Sequence, residues 1–385
     1  MTNRVIYLDN AATSYPKPPE VLDEMFRGYR DLGVSPGRGS YDLAVQAGDV
    51  VEGTRQKLAR FFGAPDPNRV IFAANATDAL NLVFNGLLRP GDHVVSTELE
   101  HNSVLRPLHH FRERGWIEYD LASCDGRGFV DPDEIVKHLR PNTRAVVVTH
   151  ASNVLGTIQP VQQIGARCAE RGVPLIVDAS QSAGIIPVDM TAWHASAVAF
   201  TGHKALFGPT GIGGLVIHPD LDIRASRFGG TGIDSRELEH TPTFPHRLEA
   251  GTINVMGILG LSAGLDYIAQ RSVHAIHSHE MALVTRLRDG LAGCAHVELY
   301  CAASLADHVA VITLNVQGIH PEDAGAILDA DFQIAVRVGL HCAPLAHRHL
   351  GTLRRGAIRF SPGLFNTPED IDRAVGALAT LSVHK

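Results

Sequence analysis

The chain has 385 residues, 45% hydrophobic and 19% charged, enough to bury one large core and a second, smaller one. Its net charge of −7, with no basic run, argues against nucleic acid as the main partner, and no apolar stretch reaches membrane-spanning length. Five cysteines with no CxxC pair argue against a disulfide framework or a zinc ribbon, so no metal site is expected.

Met1-Thr-Asn-Arg-Val passes straight into polar and turn residues, so no secretory signal is read and a cytoplasmic protein is expected. Short apolar strands are predicted at Val70–Phe72, Val94–Val95, Ala145–Val148, Leu175–Val177, Ala197–Phe200 and Gly214–Ile217. Helices separate several of them, most clearly Thr77–Leu87, where Leu80, Val83, Phe84 and Leu87 recur at helical spacing. This alternation indicates a mainly parallel sheet covered by helices. Val255–Ala269 reads as a long helix that could link two domains. A smaller α+β unit follows: strands Val309–Leu314, Ile334–Val338 and Ala357–Phe360, a helix Pro321–Leu328, and a last helix capped by Thr367 with Pro368 at its first position. Whether the N-terminal stretch packs with this unit stays open.

Three places carry chemistry. Lys204 lies just past the strand Ala197–Phe200, and Asp178 just past Leu175–Val177. Open α/β sheets bind ligands at the carboxyl ends of their strands. An amine for a Schiff base and a carboxylate to keep a pyridine nitrogen protonated suit pyridoxal phosphate (PLP). The plainer readings are a solvated strand end for the lysine and a cap or turn former for the aspartate. Asn75-Ala76-Thr77-Asp78, between a strand and a helix start, could present backbone N–H groups to a phosphate, or be an ordinary N-cap. Cys342 stands beside His341, His347, His349, Arg337 and Arg348, neighbours that favour a thiolate if charged; the alternative is a buried structural cysteine.

Together these segments resemble the class V, fold-type I PLP enzymes and, within them, the cysteine desulfurases. The likeness runs from Tyr7-Leu-Asp-Asn-Ala-Ala-Thr13 to Ile358-Arg-Phe-Ser361. It rests on Glu100-His101-Asn102, Ser152-Asn-Val-Leu-Gly-Thr157, Asp178-Ala-Ser-Gln181, Gly202-His-Lys204, Glu249-Ala-Gly-Thr252 and Arg337-Val-Gly-Leu-His-Cys342 in that order. The resemblance implies a large domain, 16–262, with a mainly parallel seven-stranded sheet, and a small domain formed by 1–15 and 263–385 that carries the cysteine loop. It also implies a homodimer. Lys204 would form the Schiff base and Asp178 would pair with the pyridinium nitrogen. His101 would stack on the ring and act in proton transfer. Asn153 and Gln181 would bond near the phenolic oxygen, and Ala76, Thr77, Thr201 and His203 would hold the phosphate. Thr252 would reach it from the other subunit, with Asp234–His246 as a hairpin over the partner's Cys342. Arg359 would clamp the substrate carboxylate, helped by Asn153 and Arg38. Cys342 would take the sulfur of L-cysteine as a persulfide and release L-alanine.

The short cysteine segment resembles the group with a compact catalytic loop, often served by a sulfur acceptor protein. Sulfur transfer, iron–sulfur cluster biogenesis among its uses, comes with the resemblance, but no segment names the destination. The chain departs from the pattern at Asn75, at Gly37-Arg38 in place of His-Arg, and in the tail Ala343–His347, which is similar to a distinct branch of desulfurase-like proteins. Two alternatives stay open. One is another PLP reaction on the same machinery: selenocysteine lysis, cysteine sulfinate desulfination or class V transamination. The other is a non-enzymatic scaffold. Dependence on Cys342 separates the first, and absence of a yellow PLP-bound form the second.

Overall fold

The computed structural model describes residues 4–36, 39, 41–233, 236–302 and 304–381. Its strands, in chain order, are β1 (Ile6–Tyr7), β2 (Val70–Ala73), β3 (Asp92–Thr97), β4 (Ile117–Ala122), β5 (Thr143–Thr149), β6 (Leu175–Asp178), β7 (Ala195–Thr201), β8 (Gly213–Ile217), β9 (Val297–Tyr300), β10 (Ile312–Val316), β11 (Ile334–Ala335), β12 (Arg337–Gly339) and β13 (Ala357–Phe360). Seven of them form one sheet in the order β2-β8-β7-β6-β5-β3-β4. Only β8 runs against its neighbours, so the sheet is mainly parallel, as the sequence indicates.

Side chains alternate across a strand, so each strand feeds two cores. Ile71, Val94, Val147, Ile176 and Ala197 pack on one face with Leu80, Val83 and Phe84 of the helix Ala76–Leu87. Phe72, Val95, Val148, Val177 and Val198 pack on the other with Val51 and Leu58 of the helix Asp42–Phe61 and Ile258 of the helix Val255–Arg271. Both faces are dry, which is why these strands read as unbroken apolar runs. Each buried aliphatic side chain contributes about 1.5–3 kcal/mol. Gly213 permits one close approach that the site needs: a Cβ there would lie 2.8 Å from the Cα of Asn75.

A second, antiparallel sheet has the order β12-β13-β10-β9. It is covered by the helices Val273–Leu291, Pro321–Phe332 and Pro368–Thr380 through Leu287, Leu328 and Leu378. Thr367 and Asp370 cap the last helix reciprocally. Strand β1 pairs in parallel with β11, so the N-terminal residues Ile6 and Leu8 join this core.

Several elements differ from the sequence reading. Strand β4, Ile-Glu-Tyr-Asp-Leu-Ala, is half-exposed at the sheet edge and lacks the apolar run of its neighbours. The stretch Ile334–Val338 is two short strands with different partners, β1 for one and β13 for the other. The long helix extends to Arg271 and stops at Ser272, whose left-handed backbone (φ 69°) starts the next helix at a new angle. Residues 236–246 form turns and no strand, so the expected hairpin is absent from that part; Asp234 lies outside the described residues. Among the described residues no helix is long and apolar enough to cross a membrane.

A buried ion pair joins distant segments. Arg55 grips Glu249 with both terminal nitrogens (2.8 and 2.6 Å), and the Phe72 amide donates to Glu249 Oε1 (2.6 Å). The segment Glu249–Thr252 is thereby fixed to β2. Glu249→Ala leaves the buried Arg55 with the exposed Glu52 (3.1 Å) as its remaining carboxylate and is expected to lower the unfolding free energy by about 3 kcal/mol, whereas Arg55→Met with Glu249→Leu recovers much of it. Urea midpoints check both, and an unchanged midpoint for Glu249→Ala contradicts this account.

Candidate active site

Strands β6 and β7 lie side by side in parallel register, with Asp178 opposite Ala199. Asp178 ends β6, and Lys204 follows β7 by three residues. The Lys204 turn is pinned from outside. Thr13 Oγ1 (2.9 Å) and Lys17 Nζ (2.5 Å) donate to the His203 carbonyl, and Ser14 Oγ donates to the Lys204 carbonyl (2.9 Å). Both side chains face a cavity of about 290 Å³. Its walls also hold Ala76, Thr77, His101, Asn153, Gln181, Thr201, His203, Arg337, His341, Cys342 and Arg359. The sequence-predicted residues thus converge, apart from two. Thr252 lines a separate cavity of about 440 Å³, and Arg38 lies outside the described residues.

Burial sets the protonation of this site. It lowers the Lys204 amine from its usual range to about 8, against the opposing pull of Asp178. It also brings His101 and His203 down to about 4, so both are neutral near pH 7. The Ser103 amide donates to His101 Nδ1 (3.0 Å), which leaves the proton on Nε2. Asp178 accepts from the Ser180 amide (2.9 Å) and hydroxyl.

The residues fit PLP by a specific observation. Three buried polar atoms of residues that line the cavity have no partner among the described residues: Thr201 Oγ1, His203 Nδ1 and Arg359 Nε. Thr201 and His203 sit near the start of the helix Ala76–Leu87, whose first N–H groups and dipole favour an anion. That helix begins one residue before the sequence reading, with Asn75 as its cap (Asp78 amide to Oδ1, 3.0 Å). The departure at Asn75 is therefore a working N-cap.

Across the cavity, Arg359 Nη2 meets Asp9 Oδ1 (2.6 Å) and Nη1 donates to the Asn153 carbonyl (3.1 Å). The amide groups of Asn153 and Gln181 are tied to the chain itself: Asn153 Nδ2 donates to the His341 carbonyl (2.6 Å) and Gln181 Nε2 to the Ala11 carbonyl (2.9 Å). Cys342 is the exposed one of the five cysteines, all free. Burial pushes the thiols of Cys124 and Cys168 up to about 11 and 12. One expectation needs correcting. His341 and His347 are buried and pulled down to about 3 and 4, so neither offers Cys342 a positive charge. Arg337 and Arg359 are the cations lining this side of the cavity.

Sequence reasoning assigned no role to Glu100, Ser180 or Asp9, each next to a residue it did name. Glu100 is fully buried. Its Oε1 accepts from Thr97 Oγ1 (2.7 Å) and the Thr149 amide (2.9 Å), while Oε2 has no partner among the described residues. Burial chiefly, with the nearby Asp178, raises its carboxyl to about 8. A raised folded value means stability fully present below the ordinary value of 4.5 and lost as pH rises through about 8. Glu100→Gln, which mimics the protonated acid, is expected to remove that loss. Urea midpoints of the cofactor-free proteins at pH 5 and pH 8.5 should diverge in favour of the variant at the higher pH; parallel curves contradict a raised Glu100.

The family model for Aminotransferase class-V matches residues 6–374. A probable cysteine desulfurase of Methanothermobacter thermautotrophicus is 35% identical over 95% of this chain and 92% of its own length. A probable cysteine desulfurase of Streptomyces coelicolor is 36% identical over 98% and 92%. Among solved structures, the apo cysteine desulfurase of Thermococcus onnurineus NA1 superposes with a TM-score of 0.92 at 35% identity, covering 98% of this chain and 94% of that one. A cysteine desulfurase of Escherichia coli superposes with 0.87 at 27%, with the same coverage. The chain belongs to the class V aminotransferase family and, within it, to the PLP-dependent cysteine desulfurases.

Proposed function

We propose that this chain removes sulfur from L-cysteine, yielding L-alanine and a persulfide on Cys342. The single observation that carries the reading is the shared cavity: Lys204 and Asp178 at the strand ends face an exposed cysteine delivered from the second sheet. PLP, when bound, supplies a Schiff base conjugated to a ring that takes up the electron pair released at the substrate's α-carbon.

The chain's own groups do the rest. Asp178, steadied by Ser180, is placed to pair with the ring nitrogen. Thr201, His203 and the backbone at Ala76 and Thr77 hold the phosphate. Arg359 orients the substrate carboxylate with its fork, which Asp9 and the Asn153 carbonyl hold in place. Lys204, with its amine lowered to about 8, is available as a base at the α-carbon once free. His101 has its Nε2 proton available for transfer. The Cys342 thiolate uses its pair to form the S–S bond as the substrate's Cβ–S bond breaks. Protonation of the carbon left behind completes alanine.

The chain divides into 16–262 and, as a second unit, 1–15 with 263–385, in keeping with the separate core around β10 and β13. It works as a homodimer in which Thr252 reaches the partner's phosphate site, a role supported by its distance from the chain's own cavity and by the exposed Phe228, Ile233 and Leu238. Arg38 is assigned to the substrate side on the resemblance alone. An acceptor protein's thiolate takes the outer sulfur of the persulfide and releases the Cys342 thiolate, and the five free thiols support a cytoplasmic setting.

Cys342→Ala is expected to bind PLP normally and lose cysteine desulfuration by about two orders of magnitude or more, keeping some activity on selenocysteine, whose C–Se bond is weaker. Mass spectrometry after cysteine treatment should place the persulfide on Cys342. A persulfide elsewhere, or an active variant, overturns the reading in favour of another PLP reaction.

A further inference from the structure

Cys342 lies in a four-residue connection, 340–343, between β12 and the short helix Pro344–His349. His341 (φ 49°) and Cys342 (φ 58°) are both left-handed, which is unfavourable for residues with a Cβ and persists only where the surroundings over-determine it. Two of the restraints are backbone carbonyls: His341 O accepts from Asn153 Nδ2 (2.6 Å) and Cys342 O from the Asn102 amide (2.7 Å). The third is the His341 ring, gripped at both nitrogens.

That grip has a direction. His341 Nε2 lies 3.3 Å from the Arg337 carbonyl, which can only accept, so Nε2 carries the proton and Nδ1 is an acceptor. His347 Nε2, 3.0 Å from His341 Nδ1, must therefore donate. His347 Nδ1 then accepts from the Thr352 hydroxyl at 2.8 Å. The line runs Thr352 to His347 to His341 to the Arg337 carbonyl, with each group using one proton. His347 is 0% exposed and Thr352 1%, and His347 does not line the cavity. Burial keeps both rings neutral, as this single direction requires.

We infer that His347 is a positioning residue for Cys342: through the His341 ring it holds the left-handed turn that presents the thiol to the cavity containing Lys204. Without it, His341 Nδ1 is left buried and unpaired, and the ring keeps one of its two anchors, the 3.3 Å bond to the Arg337 carbonyl. The inference rests on the reading of Cys342 as the sulfur acceptor.

The test is single-turnover persulfide formation on Cys342 in the PLP-loaded enzyme, quenched and mapped by mass spectrometry. His347→Leu is expected to slow this step about tenfold or more, as small misplacements of reacting groups do, while KM and the absorption change on mixing with cysteine stay within about twofold. His347→Gln, whose amide nitrogen overlays Nε2, should recover to within about threefold of wild type. The rate of Cys342 alkylation by iodoacetamide in cofactor-free protein should change with His347→Leu and return with His347→Gln. If His347→Leu does not fold, Thr352→Val decides, with a smaller loss expected and rescue by Thr352→Ser. A persulfide on Cys342 at the wild-type rate in folded His347→Leu or Thr352→Val overturns this inference alone. A persulfide on another cysteine overturns the proposed function and this inference with it.

Discussion

In a parallel pair the hydrogen bonds run evenly along both strands, so neighbouring strands deliver their last residues to the same edge of the sheet. Strands β6 and β7 do this with Asp178 and the turn that carries Lys204. Everything else at the site is arranged around those two side chains. The N-terminal segment pins the carbonyls of His203 and Lys204, the helix Ala76–Leu87 points its amino end at the same cavity, and the second sheet closes it with Arg359 and Cys342. After a one-residue irregularity between Leu175 and Ile176, the two strands keep regular register from Ile176 to Asp178, up to the edge of the site.

Burial around the cavity decides which groups carry charge. Four histidines on or beside its wall, His101, His203, His341 and His347, are all held neutral by burial. Neutral rings cannot stabilise a thiolate by charge, but they can form directed hydrogen-bond lines because each has one donor and one acceptor. The His341–His347 line is such a device, and it sits where the backbone most needs support. The Arg359–Asp9 pair does comparable work for the guanidinium, fixing one nitrogen, while the buried Nε has no partner among the described residues.

The sequence made the central sheet legible because its buried strands are apolar on both faces, and it made Lys204 and Asp178 legible because both stand immediately past such strands. It concealed β4, whose exposed edge position lets Glu118 and Asp120 interrupt the apolar run. It concealed the division of Ile334–Val338, since two strands with separate partners look like one when only composition is read. Glu100 was invisible as a buried acid because its partners, Thr97 and the Thr149 amide, come from two different strands. The histidines beside Cys342 were visible, but their charge depends on desolvation, which only packing determines.

Lys204 is the amine on which this account converges, and Lys17 provides an internal control. Lys17 is also partly buried, its amine is likewise lowered to about 8, and its Nζ touches the His203 carbonyl one residue from Lys204. Borohydride reduction of the PLP-loaded protein, followed by peptide mapping, fixes the cofactor to the lysine that held it. A single pyridoxyl group on Lys204 is expected; a label on Lys17, or on any lysine away from the end of β7, would contradict that assignment.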